Sequence, residues 1–449
     1  MSTVIIGGGI IGLSTAYYLS LFPPSKKHQC QHQIHIIDPA TQLFDCASGY
    51  AAGFIARDWF SAELASLGAL SFELHEQLAR EHGGYEKWGY MRSTAVGLQV
   101  QYADGQRSAR GDDWLRQGAS RAEVAVRADE RKEGEPDAAP AWLTRQEGGR
   151  ADRISDVGGV AQVDPLRLCQ FLLAKCIERG VHVHNPTRAI GLIKDVSSGS
   201  LAGIKLRNLT TKAESIIPCT SLVFATGAWT PRAFHALFPT STTRIPVTSL
   251  SGYSILVRSP RHTMSQERDT YAGTGHAVFT THPRSCGFSP EIFSRAGGEI
   301  YLAGLNISET PLPELASDAH GMMEADKVAR VRKATVTLMG RIDPSVTSRD
   351  TEGEGNVDDL EVLREALCFR PWTESGQPIV ARVGNQVLGS GAAVPAGGVF
   401  MAAGHGPWGV SLSLGTGKVM AEMVSGTKTS ANVSGLKLEK GMGAAKAKI

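Results

Sequence analysis

Gly7, Gly9 and Gly12 stand at G-x-G-x-x-G spacing, directly after the apolar run Val4-Ile5-Ile6 and before the apolar stretch Leu13–Leu21. Glycine at these positions permits a sharp turn at Gly7, close approach of backbone to a pyrophosphate at Gly9, and tight packing of a helix on a strand at Gly12. A phosphate held there meets free N–H groups at the positive end of a helix. Asp38 ends a second apolar run, Gln33–Ile37, and its carboxylate can accept from both hydroxyls of an adenosine ribose. It lies somewhat farther from the glycines than the roughly 20 residues usual in this pattern. The polar segment Ser25–His32 takes up the difference as a longer loop. These residue types in this order suit the binding of a dinucleotide. A glycine turn without a ligand is the alternative for the triplet alone, and the strand, helix and acid around it argue against that alternative.

Two later stretches share this logic. Ser221–Phe224 reads as a buried strand running into Ala225-Thr226-Gly227-Ala228-Trp229. Val399–Ala403 leads through Gly404-His405-Gly406-Pro407-Trp408-Gly409-Val410 into a helix over Ser413–Val424 closed by Gly426. Its N-terminus suits negative charge on a bound ring. The small-residue loop Asp45–Phe54 lets backbone lie against something flat, and a plain connecting loop reads the same way.

The scaffold that must position these stretches is legible in outline. Glu63–Glu81 is an amphipathic helix stopped before Gly83-Gly84. Asp164 suits an N-cap and Pro165 the first turn of a helix that ends at Gly180. Val181–His184 alternates as a strand, with His182 and His184 on one side; solvated histidines are the reading there, with no third ligand nearby and no metal expected. From Ile245 to Leu305 the pattern is β-rich, and Met323–Arg341 is a helix. The charged segment Arg127–Pro140 and the acidic Ser345–Asp359 read as exposed loops. The implied architecture is α/β, a Rossmann-like dinucleotide domain (1–90, 155–244, 362–430) interleaved with a mainly antiparallel β domain carrying helices (91–154, 245–361). A flexible tail follows (431–449).

A length of 449 residues with 42% hydrophobic content supports two or three such units, and a net charge of +2 points to no nucleic-acid partner. No apolar run approaches the roughly 18 residues of a membrane span, and Met1-Ser2-Thr3 runs straight into a strand, so an intracellular protein is expected. Seven cysteines, scattered and never in C-x-x-C pairs, argue against a disulfide framework or zinc site.

In this order of motifs the chain resembles the FAD-dependent oxidoreductases of the D-amino acid oxidase superfamily, and within it glycine oxidase, sarcosine oxidase, D-amino acid dehydrogenase and an uncharacterised fungal branch. The resemblance runs from Val4 to about Gly426. It implies FAD, with Gly7, Gly9, Ile10, Ile11, Gly12 and Asp38 on the ADP half. Ser48, Ala52 and Gly53 would lie near the flavin or its linker, Ala225, Thr226, Gly227 and Trp229 near the dinucleotide. Gly404, His405, Gly406, Trp408, Gly409 and Val410 would lie near the ring's pyrimidine edge. The implied reaction is hydride transfer from an amine-bearing carbon to the flavin, giving an imine that water hydrolyses. Arg370, before Pro371, matches the carboxylate-binding arginine of amino-acid-oxidising members, and a planar guanidinium suits that task. Tyr253 and Tyr301 are pocket-wall candidates. Cys368 falls where sarcosine-oxidase-like members attach flavin through sulfur, so both a covalent link and an ordinary buried cysteine stay open.

The loop Tyr50–Gly53 lacks the asparagine of many dehydrogenase members, and Glu374-Ser375-Gly376 replaces their usual Asp-Gly. Three readings therefore remain: an oxidase of an amine or amino acid using O2, a dehydrogenase passing electrons to a quinone or protein, and a flavin-binding protein with an interaction or trafficking role. The basic tail Gly441–Ile449 resembles a peroxisomal address read by an import receptor, so the peroxisome or the cytoplasm is the expected compartment.

Overall fold

The strand Ser2–Ile6 is apolar on both faces because both faces are covered. It sits inside a six-stranded sheet ordered 379–383, 398–403, 221–224, 2–6, 33–37, 182–184, parallel throughout except for the antiparallel edge strand Ile379–Val383. Side chains alternate along a strand. Ile5, Ile36, Val223 and Phe400 therefore pack under helices, whereas Val4, Ile6, Leu222 and Phe224 pack against Ile204 and Leu206. Those two belong to the three-stranded antiparallel sheet 187–194, 201–208, 214–218. The computed structural model describes residues 1–22, 32–99, 138–146, 149–195, 201–280, 287–345, 356–392 and 394–438. Most of the Arg127–Pro140 and Ser345–Asp359 loops, the Ser25–His32 loop up to residue 31, the tail Gly441–Ile449, Cys30 and Cys286 lie outside the described residues.

Three helices build the covered face. The opening helix Ile10–Ser20 packs between Pro165–Glu178 and the closing helix Gly409–Ser425. Asp164 caps the middle helix as its sequence suggests, accepting from the N–H groups of Leu166 at 2.9 Å and Arg167 at 3.1 Å. The closing helix starts at Gly409, four residues before the apolar periodicity becomes visible. Small residues let the opening and closing helices meet: a Cβ at Gly417 would lie 2.5 Å from the Ser14 backbone carbon.

A second, eight-stranded sheet faces the first domain, ordered 361–373, 247–258, 299–307, 291–295, 275–280, 91–99, 150–162, 54–56. It is antiparallel apart from one parallel pair, Gly275–Thr280 with Met91–Gln99. Residues 54–56, 155–162 and 362–373, grouped by sequence with the dinucleotide domain, belong to this second sheet, where Glu361–Thr373 pairs along Val247–Arg258. The strand therefore carries Cys368 and Arg370 to the site from the opposite wall. The start of the expected flexible tail is also ordered into the fold. Ala431, Val433 and Leu436 are buried, and Leu436 O accepts from Val380 N–H at 2.9 Å, because these spaced apolar residues cover the closing-helix core. Among the described residues no helix is long and apolar enough to cross a membrane.

His182 and His184 do share one side of their strand, and His35 joins them there. Its ring stacks on His182 at 4.9 Å and its Nδ1 lies 3.1 Å from His184 Nε2.

The close helix contact gives a stability prediction. Gly417→Ala should destabilise the protein by about 1–3 kcal/mol through overpacking against Ser14, read as a lowered midpoint in urea with an unchanged slope.

Candidate FAD and substrate site

The turn after the first strand is set by backbone meeting backbone. Gly7 takes φ +108, and a Cβ there would lie 2.4 Å from Ala225 O; a Cβ at Gly12 would lie 2.0 Å from Gly7 O. Gly7 N–H donates to Ile37 O at 2.8 Å and Ala225 N–H to Ile6 O at 2.8 Å, so three parallel strands end together at this turn. Gly12 lies beneath the turn and does not line the cavity, so its role is to let the helix close on the strand.

Gly9 offers no side chain to cap the opening helix. The cap comes from Ser48, whose Oγ accepts from Ile10 N–H at 3.0 Å across 38 residues of sequence. Asp38 accepts from Gly8 N–H at 2.7 Å and from Ala40 N–H at 2.9 Å. Burial pushes its carboxyl upward, and those two donors oppose the push.

A cavity of about 1500 Å³, its open mouth included, begins at this turn and runs between the two sheets. Gly7, Gly9, Ile10, Ile11, Asp38, Ser48, Ala52, Gly53, Ala225, Thr226, Gly227 and Trp229 line it, as do His405, Gly406, Gly409 and Val410. Gly404 and Trp408 do not. Gly404 turns at φ +78 with Thr373 where its Cβ would be, and Trp408 packs edge-on to Phe60 at 4.8 Å.

Tyr301, Cys368 and Arg370 line the cavity from the eight-stranded sheet. Arg370 lies over Gly252, where a Cβ would come within 3.2 Å of its Nη2, and its Nη1 donates to Asn306 Oδ1. Neither Gly252 nor Asn306 carries a sequence motif; only the pairing of three strands reveals them. Tyr301 is 2% exposed, and its hydroxyl donates to Tyr50 O at 2.9 Å. Tyr253 falls elsewhere. It alternates to the opposite face from Gly252, is buried in the core behind the sheet, and its hydroxyl accepts from Glu324 N–H at 3.1 Å.

Burial raises the Cys368 thiol while Arg370 and Arg364 pull it back, and burial pushes Cys46, on the same cavity, up to about 11. Both are thiols near neutral pH. The five described cysteines are free. His405 is 3% exposed, with Nε2 3.1 Å from Thr416 Oγ1 and Nδ1 without a protein partner. Burial pushes it down to about 3, which keeps the ring neutral.

The family model described as FAD dependent oxidoreductase matches residues 2–423 of this chain. The chain belongs to that family. An oxidoreductase of Schizosaccharomyces pombe is 25% identical over 450 residues, covering 96% of each chain. The oxidoreductase TDA3 of Saccharomyces cerevisiae is 23% identical over 539 residues, covering 96% of this chain and 93% of its own. Among solved structures, glycine oxidase from Geobacillus kaustophilus superposes with a TM-score of 0.67 at 21% identity, covering 98% and 99% of the two chains. Iminodiacetate oxidase from Chelativorans sp. BNC1 gives 0.63 at 18%, covering 97% and 98%. These structural likenesses establish the shared fold.

The residues present fit FAD. The helix end and glycine turn suit its diphosphate, Asp38 its ribose, and the loop at Ala51–Gly53 with the start of the closing helix suits the ring.

His405 yields a pH prediction whose sign follows from its lowered value. Below about pH 6.5 the unfolded chain takes up the proton and the folded one does not, so stability falls with pH until about pH 3. In the FAD-free protein His405→Gln should make unfolding free energy shallower by about 1.4 kcal/mol per pH unit within that window, measured by urea unfolding at stepped pH.

Proposed function

We propose that this protein oxidises the C–N bond of an amine or amino acid that carries a carboxylate, and that O2 reoxidises its flavin to give H2O2. The observation that carries this reading is Arg370 on the cavity wall, over Gly252 and braced by Asn306. A guanidinium can grip a carboxylate through two parallel hydrogen bonds. Bracing by Asn306 limits its rotamers, so less freedom is lost when substrate arrives. FAD, when bound, supplies the acceptor for the hydride. The chain's own part is to hold the carboxylate at Arg370, so that the neighbouring amine-bearing carbon faces the flavin, and to keep water out with apolar walls such as Phe54 and Ala303. Tyr301, held in its ring position and raised by burial, stays protonated and acts as a wall rather than a base. The names of the structural neighbours glycine oxidase and iminodiacetate oxidase support an amino-acid-like substrate.

The test is anaerobic mixing of the FAD-loaded protein with amino acids and with their decarboxylated amines, followed by admission of O2. Carboxylate-bearing substrates should bleach the visible absorbance and oxygen should restore it. No bleaching by any amine or amino acid sinks the proposal, and fast bleaching with sluggish recovery in oxygen selects a dehydrogenase instead. Arg370→Lys should raise KM for an amino acid roughly ten- to hundred-fold, the effect of losing a charged hydrogen bond, with kcat less affected. Asn306→Ala should raise KM by a smaller factor, about two- to tenfold.

A further inference from the structure

Every carbonyl from Gly49 to Ala52 is held from the side of the eight-stranded sheet. Arg364 Nη1 donates to Gly49 O at 3.4 Å, and Tyr301 donates to Tyr50 O at 2.9 Å. Arg295 Nη2 donates to Ala51 O at 2.6 Å and to Ala52 O at 3.1 Å, and Gln162 Nε2 to Ala52 O at 2.6 Å. Arg295 is the centre of this arrangement. It is 2% exposed, and Asp164 stands 4.0 Å away. Its guanidinium lies 4.9 Å from the centre of the Tyr301 ring. A buried cation this loosely paired is stabilised chiefly by what it touches, here two carbonyl dipoles and an aromatic face.

The consequence falls on the other side of the loop. With its carbonyls drawn back, the segment has the N–H groups of Ala52 and Gly53 remaining past the end of the short helix Ala47–Tyr50, and neither has a protein acceptor among the described residues. Both residues line the cavity. Donors fixed in place before a ligand arrives need no reorganisation to bind it. Gly53 is held as firmly: it takes φ +88, and a Cβ there would lie 2.0 Å from Val163 O.

We propose that Arg295 is a positioning residue for the flavin: it latches the Ala51–Gly53 segment to the substrate sheet so that the segment's N–H groups face the isoalloxazine. Tyr301 completes the latch from the substrate end, where its ring backs onto Arg295 and its hydroxyl holds Tyr50. The latch therefore ties the strand that walls the substrate to the loop that contacts the cofactor. It rests on the family's FAD dependence and not on the identity of the substrate, so the anaerobic substrate screen can fail while the latch stands.

The experiment is FAD titration of the apoprotein, with the visible spectrum of the bound flavin recorded alongside thermal unfolding. Arg295→Met should raise the FAD dissociation constant roughly ten- to hundred-fold, the loss expected for a charged hydrogen bond. It should also shift the flavin absorption bands. Arg295→Lys keeps the charge but lacks the fork that spans two carbonyls, and should recover part of both changes. Tyr301→Phe should produce a smaller shift in the same direction, and the double variant should show less than the product of the two single effects. Should Arg295→Met fail to fold, Arg295→Lys and Tyr301→Phe carry the test. The proposal is overturned if the folded variants bind FAD with the wild-type constant and an unchanged flavin spectrum while only their thermal stability falls.

Discussion

The site depends on a place where main chain touches main chain. At Gly7 the first strand ends against Ala225 O, and at Gly12 the opening helix rests on Gly7 O, at separations no side chain could share. Three strand ends and one helix start are thereby gathered within a single turn. The polar groups that face the cavity follow from it: Gly8 presents its N–H to Asp38, and Ile10 presents its N–H to Ser48. The Ser48 bond ties the loop after the second strand to the helix. It also brings Ala51–Gly53 to the cavity wall, where the eight-stranded sheet can take hold of that segment.

The two sheets meet along this loop and again near Trp229. There Trp229 Nε1 and Arg232 Nη1 both donate to Pro313 O, at 2.9 and 2.8 Å, and Glu314 pairs with Arg188 at 2.7 Å. Glu314, Leu315 and Ala316 thus reach the cavity from the second domain. Division of labour follows. The parallel sheet supplies a cradle made of backbone donors and one carboxylate, and the antiparallel sheet supplies a wall bearing Arg370, Tyr301 and Cys368. The charges differ in how they are held. His405 is kept neutral by burial alone, whereas burial lowers Arg295 and Asp164 opposes that push, with two carbonyls and an aromatic ring touching the guanidinium.

The cofactor half of this site was legible in the sequence because dinucleotide binding is performed by glycines, whose spacing is set by backbone geometry within one strand, turn and helix. Gly7, Gly9 and Asp38 are local signals of that kind. The substrate half was legible at Arg370, through the proline that follows it, and at Tyr301 and Cys368, which also line the cavity. Asn306, Gly252 and Arg295 act through contacts between strands far apart in sequence, and a strand tail or a buried arginine leaves no periodic mark. The same limit moved Tyr253 behind the sheet, since strand alternation gives two faces and the sequence does not say which one meets the cavity. It also moved Ala431, Val433 and Leu436 from the tail into the core, because three apolar residues with spacers resemble a linker until the helix they cover is in place.

The central claim is that one cavity holds FAD, with its diphosphate at the glycine turn and its ring at Ala51–Gly53, and a carboxylate against Arg370. Titration of the oxidised, FAD-loaded protein with an unreactive carboxylate such as acetate tests it most directly, with the flavin's visible spectrum as the reporter. The account predicts a saturable spectral change in the wild type whose midpoint moves roughly ten- to hundred-fold higher in acetate in Arg370→Lys. No change at any concentration, or the same midpoint in the variant, would contradict it.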